Sequence, residues 1–325
     1  MRIAIAGAGA IGGFIGARLA QAGSDVVLFA RGPHLRAMQE SGLRVVSPDG
    51  DFAVKPEVTG DLNEIGRADA IILGVKAHSL TTLAPQLSPF IGPDTTVVST
   101  QNGIPWWYFQ NHPGDLDGLR LEHVDPGGAI ANAIPAERVV GSLAYFSTDI
   151  AEPGVIHHTE GNRLSLGEPS GARTDRVKAL AQALIAAGLR APVTTRFRHE
   201  IWVKLLGNVA FNPISALTRA TLEDMVRHPE LSKVIREVMA EVESVAARLG
   251  IELPISVDQR MAGAEKVGAH KTSMLQDYEA GRPMELDAIV GAVVELGDRL
   301  NVPVPVTRTV YACAKLLNDN RQGTR

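Results

Sequence analysis

Residues 2–30, RIAIAGAGAIGGFIGARLAQAGSDVVLFA, decide the fold. RIAIA at 2–6 is short, apolar and unbroken, the pattern of a strand buried on both faces of a parallel sheet. GAGAIG follows at once and sets Gly7, Gly9 and Gly12 at GxGxxG spacing. From Ile11 to Ala22 the apolar spacing is helical and stops at Gly23, and DVVLFA is a second strand. Three spaced glycines alone say little. Between a strand that opens the chain and a helix that leads to another strand, they predict a dinucleotide-binding turn over a turn that binds nothing. Gly7 permits the tight bend, Gly9 lets backbone approach a pyrophosphate, and Gly12 lets helix and strand pack closely. Ala8, Ala10 and Ile11 complete the turn, and the helix N-terminus offers its free N–H groups to the phosphates.

The end of the second strand separates the two nicotinamide dinucleotides. An NAD site commonly places Asp or Glu about 20 residues past the glycines, to accept from the ribose 2′-hydroxyl. Here Arg31 stands nineteen residues past Gly12. A guanidinium suits a 2′-phosphate and a carboxylate would repel it, so the expected cofactor is NADP(H). Two further strands, AIILGVK and TTVVST, end in Lys76 and in Gln101-Asn102-Gly103. Ligands in open parallel sheets sit beyond the carboxyl ends of strands, which makes Lys76 and Asn102 candidates for the nicotinamide end. A solvated lysine and a common Asn-Gly turn are the plain alternatives.

The length of 325 residues suggests two domains, and 45% hydrophobic with 21% charged residues is ordinary for a globular protein. A net charge of −4 argues against nucleic acid or an anionic membrane as partner. The one cysteine, Cys313, excludes an intrachain disulfide and a cysteine metal cluster; the nine histidines make no spaced ligand pair, so no metal is expected. His157 and His158 are adjacent and would point apart on a strand. No run of about 18 apolar residues suits a bilayer. MRIAIAGAGAIGG turns glycine-rich too early for a secretory signal, and the expected location is the cytoplasm.

Residues 104–170 have no clean period, although VVGSLAYFS and IHHTEGNRLSLGE read as strands. A helix over 174–187 and a short strand, APVTTR, complete an α/β N-terminal Rossmann-type domain with a doubly wound parallel sheet, over 1–195. Residues 196–325 read as an all-α C-terminal domain. Its first helix, RHEIWVKLLGNVAFNP at 198–213, carries Lys204, Asn208 and Asn212 every fourth position in an apolar run. Four residues drift by only about 40° on an α-helix, so the three form one stripe. Pro213 places Asn212 near a kink or an end. Helices follow over 229–250 and 254–268. Ser273 has capping-box spacing to Gln276, and Glu285 opens a helix over 285–300.

Together these residues resemble the ketopantoate reductase (2-dehydropantoate 2-reductase) family over nearly the whole chain. The matching motifs are GAGAIG, the strand-end VK, QNG at 101–103, WVKLLGNVAFNP and SMLQDYEAGRPMELD. The last two are the specific ones. The resemblance implies a Rossmann domain joined to a helical domain with the active site in the cleft between them, and reduction of a 2-oxo acid to a 2-hydroxy acid with NADPH. It implies Lys204 as the catalytic lysine and Glu285 as the acid by the substrate hydroxyl. Asn208, Asn212 and Ser273 match substrate-binding positions, Asn102 and Lys76 positions by the nicotinamide and substrate, and Arg31 the contact to the 2′-phosphate.

Two departures bear on the substrate. IPWWYFQNHPG replaces the usual glycine and glutamates after QNG, which would put Trp106, Trp107 and Tyr108 near the mouth of a cleft. ALTRATLEDM replaces the usual turn after Asn212. The expected partner is a small 2-oxo acid, most simply 2-dehydropantoate giving (R)-pantoate, and a homodimer is compatible with the helical second half. The alternatives are a β-hydroxy-acid dehydrogenase and an NADP(H)-binding sensor without turnover; a sensor has no need of the lysine–asparagine stripe.

Overall fold

The computed structural model describes residues 1–323 and divides the chain into two compact units. The first comprises 1–101, 106–119 and 127–197; the second comprises 102–105, 120–126 and the residues from 198 onward.

The first unit is built on one sheet. Its strands are β1 (Arg2–Ala6), β2 (Asp25–Phe29), β3 (Leu43–Val46), β4 (Phe52–Val54), β5 (Glu57–Thr59), β6 (Ala70–Leu73), β7 (Thr96–Ser99), β8 (Val139–Glu152) and β9 (Val155–Gly167). They lie in the order β4-β3-β9-β8-β7-β6-β1-β2-β5. β1 pairs in parallel with β2 on one side and β6 on the other, so the chain reverses its direction of travel across the sheet at β1. That is the switch point where open α/β sheets bind ligands. The sheet is parallel-rich with two antiparallel pairs, β3 with β4 and β8 with β9. The latter is a long hairpin that turns at Gly154, whose φ of +82° a glycine adopts without strain.

Helices α1 (Ala10–Gln21), α2 (Gly32–Ser41), α3 (Ala77–Leu87), α4 (Ala129–Ala133) and α5 (Asp175–Ala186) belong to this unit. α1 buries Phe14, Ile15, Ala17 and Leu19 in the same core as Ile3, Ile5 and Leu28. β1 is buried from Ile3 to Ala6, as its unbroken apolar run predicts. His157 and His158 do point to opposite sides: His158 is buried, stacks on Phe14 and hydrogen-bonds Ser47, while His157 faces Asp149 at 3.5 Å.

Two expectations for this unit fail. APVTTR forms no strand; it makes only an isolated parallel bridge, Val193 to Leu166. The aromatics after QNG line no opening: Trp106, Trp107, Tyr108 and Phe109 are all at most 6% exposed. Trp107 packs on Phe197 with ring centroids 5.9 Å apart, and its edge occupies the space a side chain at Gly141 would need. A run of four aromatics removes more apolar area as core than as rim.

The second unit is helical: α6 (Phe197–Thr218, its first residue still in the first unit), α7 (Leu222–Arg227), α8 (Pro229–Arg248), α9 (Val257–Val267), α10 (Ser273–Glu279), α11 (Ala292–Leu300) and α12 (Pro305–Gln322). α6 runs through Pro213 for five more residues, so Asn212 does not end the helix; burial of the helix on nearly every face outweighs the one missing N–H. It stops at Arg219, whose φ is +59° and whose N–H returns to the Ser215 carbonyl. The divergent TRATLED stretch is a helix start, with Thr221 and Asp224 forming a capping box for α7. No helix among the described residues is long and apolar enough to cross a membrane.

Candidate active site

The turn after β1 is closed by Gly7 and Gly12 together with a glycine from another strand end, Gly74. Gly7 has φ +105°, and a Cβ there would lie 2.3 Å from Val75 Cγ1. A Cβ on Gly12 would lie 2.2 Å from the Gly7 carbonyl oxygen, and one on Gly74 would lie 2.3 Å from the same oxygen. Gly74, at the end of β6, was missed from sequence; the signal was the glycine inside LGVK, directly after a buried strand. Gly9 is different. Its nearest foreign atom is 3.9 Å away, which leaves its outer side clear for a ligand's backbone approach. Ala8 N–H and Gly7 N–H bond to the Phe29 carbonyl and fix the bend. α1 then begins at Ala10 with no acid in its first turn and no side-chain cap, so no anion competes at its positive end. A cradle of this kind fits a dinucleotide pyrophosphate. At the carboxyl end of β2, Arg31 is exposed, heads α2, and makes no ion pair among the described residues. Lys76 heads α3, half-buried. Gln101 donates to the carbonyls of Leu73 and Val75 at 2.8 Å each, tying the end of β6 to the residues after β7.

In the second unit α6 carries the polar stripe. Lys204 and Asn208 are part-open and Asn212 is 6% exposed. Protein packs around the Lys204 amine, and burial pulls its pKa from the ordinary lysine value down to about 8, against the opposing pull of the Glu285 carboxylate. Glu285 lies just ahead of a helix that starts at Leu286, one residue later than the sequence suggests. Its carboxylate accepts from Asn102 Nδ2 at 3.3 Å, across 183 residues of chain. Lys204, Glu285 and Asn102 are thus brought together. Ser273 is exposed at the first position of α10, and the cap is Thr272, whose hydroxyl accepts from Leu275 N–H; the capping box expected at Ser273 does not form. Thr272 wins because it places its oxygen at the third N–H of the helix, with Ser273 already helical.

The segment behind Glu285 is unusual. Asp287–Gly291 is a single π turn that runs into α11. A π turn holds one residue more than an α turn and often marks a functional site. The carbonyl of Ala288 accepts from Ile104 N–H at 2.9 Å, and a Cβ on Gly103 would lie 2.1 Å from that same oxygen. Asp287 accepts from Tyr311 Oη at 2.6 Å and from Lys315 Nζ at 2.9 Å. Gly291 is covered by His123, whose N–H and Nδ1 meet the Glu295 carboxylate. Nothing local in the sequence announces this clamp, because its parts lie at 102–104, 123, 285–295 and 311–315. Among the described residues no group of three or more His, Cys, Asp or Glu could hold a metal ion.

A dinucleotide turn of this build, in a chain whose helical unit buries a lysine against a carboxylate, is the make-up of NAD(P)-dependent oxidoreductases acting on CH–OH groups, and the chain is one of these. Comparison narrows the class. Residues 3–171 match the family described as ketopantoate reductase PanE/ApbA, and residues 196–318 match its C-terminal part. A 2-dehydropantoate 2-reductase from Mesorhizobium japonicum is 49% identical over 98% of both chains. A crystal structure from Ralstonia solanacearum MolK2, provisionally described as a ketopantoate reductase, superposes with a TM-score of 0.94 at 40% identity over 100% of this chain and 99% of that one. A 2-dehydropantoate 2-reductase from Methylococcus capsulatus gives 0.83 at 32% identity over 99% and 98%. The chain belongs to the ketopantoate reductase family.

Proposed function

We propose that the chain reduces a 2-oxo acid to the matching 2-hydroxy acid with NADPH, and that 2-dehydropantoate, named for its Mesorhizobium relative, is the substrate, giving (R)-pantoate. The observation that carries this reading is the Lys204 amine, poised at about 8 beside Glu285. A general acid works best with a pKa near the working pH. The bound cofactor supplies the hydride. The turn from Gly7 through Ala8, Gly9, Ala10 and Ile11 to Gly12 would hold its pyrophosphate, Arg31 its 2′-phosphate, and Lys76 and Asn102 its nicotinamide end.

Lys204 then has two tasks at one atom. Its ammonium points a charged donor at the ketone oxygen, where negative charge develops, and then gives that oxygen a proton. The neutral amine left behind regains a proton from solvent. Glu285 accepts from the product hydroxyl and keeps Lys204 from losing its proton sooner. Asn208 and Asn212, one and two turns further along α6, orient the substrate, with Ser273 as a third contact.

The test is NADPH consumption by the purified full chain against branched and sugar-derived 2-oxo acids, 2-dehydropantoate included, with 3-hydroxy acids plus NADP⁺ as the counter-panel. Turnover of a 2-oxo acid supports the reading; activity only on 3-hydroxy acids replaces it with a β-hydroxy-acid dehydrogenase, and cofactor binding with no turnover replaces it with a sensor. In the same assay Arg31→Ala should lower the preference for NADPH over NADH by about 10- to 100-fold, the worth of one or two charge-assisted hydrogen bonds. An unchanged ratio removes Arg31 from the cofactor site.

A further inference from the structure

Between Ile201 and Ala216, every residue of α6 is buried except the part-exposed Val203, Lys204 and Asn208. On a helix surface these three surround position 207, at offsets of −4, −3 and +1. Position 207 is a glycine, and the space above it holds the guanidinium of Arg260, from α9. A Cβ on Gly207 would lie 2.0 Å from Arg260 Nη2, 2.5 Å from Nε and 2.6 Å from Cζ. The same guanidinium carbon stands 5.9 Å from the ring centroid of Phe211, one turn further on. A planar cation therefore lies directly on helix backbone, at the edge of the lysine–asparagine stripe and itself part-exposed.

We propose that Arg260 binds the carboxylate of the 2-oxo acid, with Gly207 as the bare floor that lets its guanidinium lie there. The inference rests on the reductase reading above and extends it to acid recognition. A 2-oxo acid brings a negative charge to a place where Lys204 and Glu285 already balance each other. A carboxylate taken out of water without a paired cation is strongly disfavoured. Lys204 cannot serve as that cation throughout, because it becomes neutral when its proton moves to the ketone oxygen. Arginine keeps its charge at every step and presents two parallel N–H donors that match a carboxylate. Asn208, next to Gly207 in the chain, is the part-exposed amide of the neighbouring helix position.

A stacking role for Arg260 on Phe211 would explain the packing equally well, so the test must read charge recognition rather than folding. We would measure kcat and KM at saturating NADPH for a 2-oxo acid that the full chain turns over, and for the methyl ester of that acid. The proteins are the wild type, Arg260→Gln, Arg260→Lys and Gly207→Ala. Loss of a charged hydrogen-bonded pair should raise KM for the acid about 30- to 100-fold in Arg260→Gln. The ester should change less than about threefold, because it brings no charge to pair. Arg260→Lys keeps the charge without the fork and should fall between. Gly207→Ala should follow Arg260→Gln in part, since its methyl group displaces the guanidinium. NADPH affinity should stay within about twofold in all three. Equal losses on acid and ester, or an unchanged KM for the acid, overturn the assignment. Should Arg260→Gln not fold, Arg260→Lys and Gly207→Ala decide on the same acid-to-ester ratio. A wild type that turns over 2-oxo acids beside variants with an unchanged ratio rejects Arg260 alone; a wild type inert on every 2-oxo acid rejects the reductase reading and this inference with it.

Discussion

Two glycine contacts, one in each unit, differ in how they are made. At the turn after β1, Gly7, Gly12 and Gly74 press backbone on backbone, and two of the three lie five residues apart. At the clamp behind Glu285, Gly103 presses on the Ala288 carbonyl of the π turn, 185 residues further along the chain. The first contact shapes a cradle for a ligand that many enzymes share. The second holds the stretch that carries Asn102 against the stretch that carries Glu285. A local turn can be general; a contact assembled from distant segments can be tuned to one reaction.

The largest effect should come from the residue the clamp serves. Lys204→Met should lower kcat by about 10²–10⁴-fold, the usual worth of a general acid, with NADPH affinity within about twofold. The same substitution should raise stability. The folded-state pKa of about 8 lies below the ordinary value of 10.5, so the buried ammonium is disfavoured in the native state. That destabilisation is present in full below pH 8 and is relieved between pH 8 and 10.5, where the unfolded chain binds the extra proton. Removing it should add about 1–3 kcal/mol at pH 7, read as a higher Tm and a higher denaturant midpoint. In the wild type, reduction should weaken as pH rises through about 8, while the reverse oxidation, which needs the neutral amine, should strengthen. A turnover unchanged in Lys204→Met would break the catalytic assignment. A Tm that falls would show that the amine is better satisfied than its burial suggests.

The two glycine contacts can then be broken one at a time. Gly12→Ala should weaken NADPH binding by at least about 100-fold and lower Tm, because its methyl group meets the Gly7 carbonyl oxygen. Gly103→Ala adds both a left-handed strain at φ +87° and a collision with the Ala288 oxygen. It should leave NADPH binding within about threefold and lower kcat about 10- to 100-fold, by shifting Asn102 off Glu285. If both variants lose cofactor binding alike, the division of labour between turn and clamp is wrong.

The same contrast explains what could be read from sequence. β1, the glycine turn, α1 and β2 are contiguous, and their patterning carries spacing, strand type and ligand class together. The stripe on α6 was also legible, since residues 204, 208 and 212 obey one helical period. Gly74 escaped because it acts from another strand, and the π turn escaped because MELDAIVGAVV has the apolar spacing of an ordinary helix. Its extra residue is stabilised by Ile104, His123 and Tyr311 rather than by its own side chains. The aromatic run WWYF misled in the opposite way. Its composition suggested an altered opening, whereas Trp107 and Tyr108 are core residues.

Tyr311→Phe should sharpen the comparison with the smallest change. The phenol donates to Asp287 Oδ1 at 2.6 Å, two residues past Glu285, and Lys315 holds the other carboxylate oxygen at 2.9 Å. Burial first, and the Asp287 carboxylate second, push the phenol pKa well above its ordinary value, so it stays a donor across the working range. Deleting the hydroxyl removes one hydrogen bond of about 1 kcal/mol and leaves the lysine in place. The expected result is a kcat lowered about two- to fivefold with unchanged NADPH affinity, and a Tm lowered by only a few degrees. Lys315→Met alone should behave similarly, and the double variant should lose more than the two single losses combined, because Asp287 is then left without a donor and the π turn without its outer anchor. Strict additivity would mean that the turn keeps its shape without Asp287, and that Gly103 and Ile104 suffice to hold Glu285 in place.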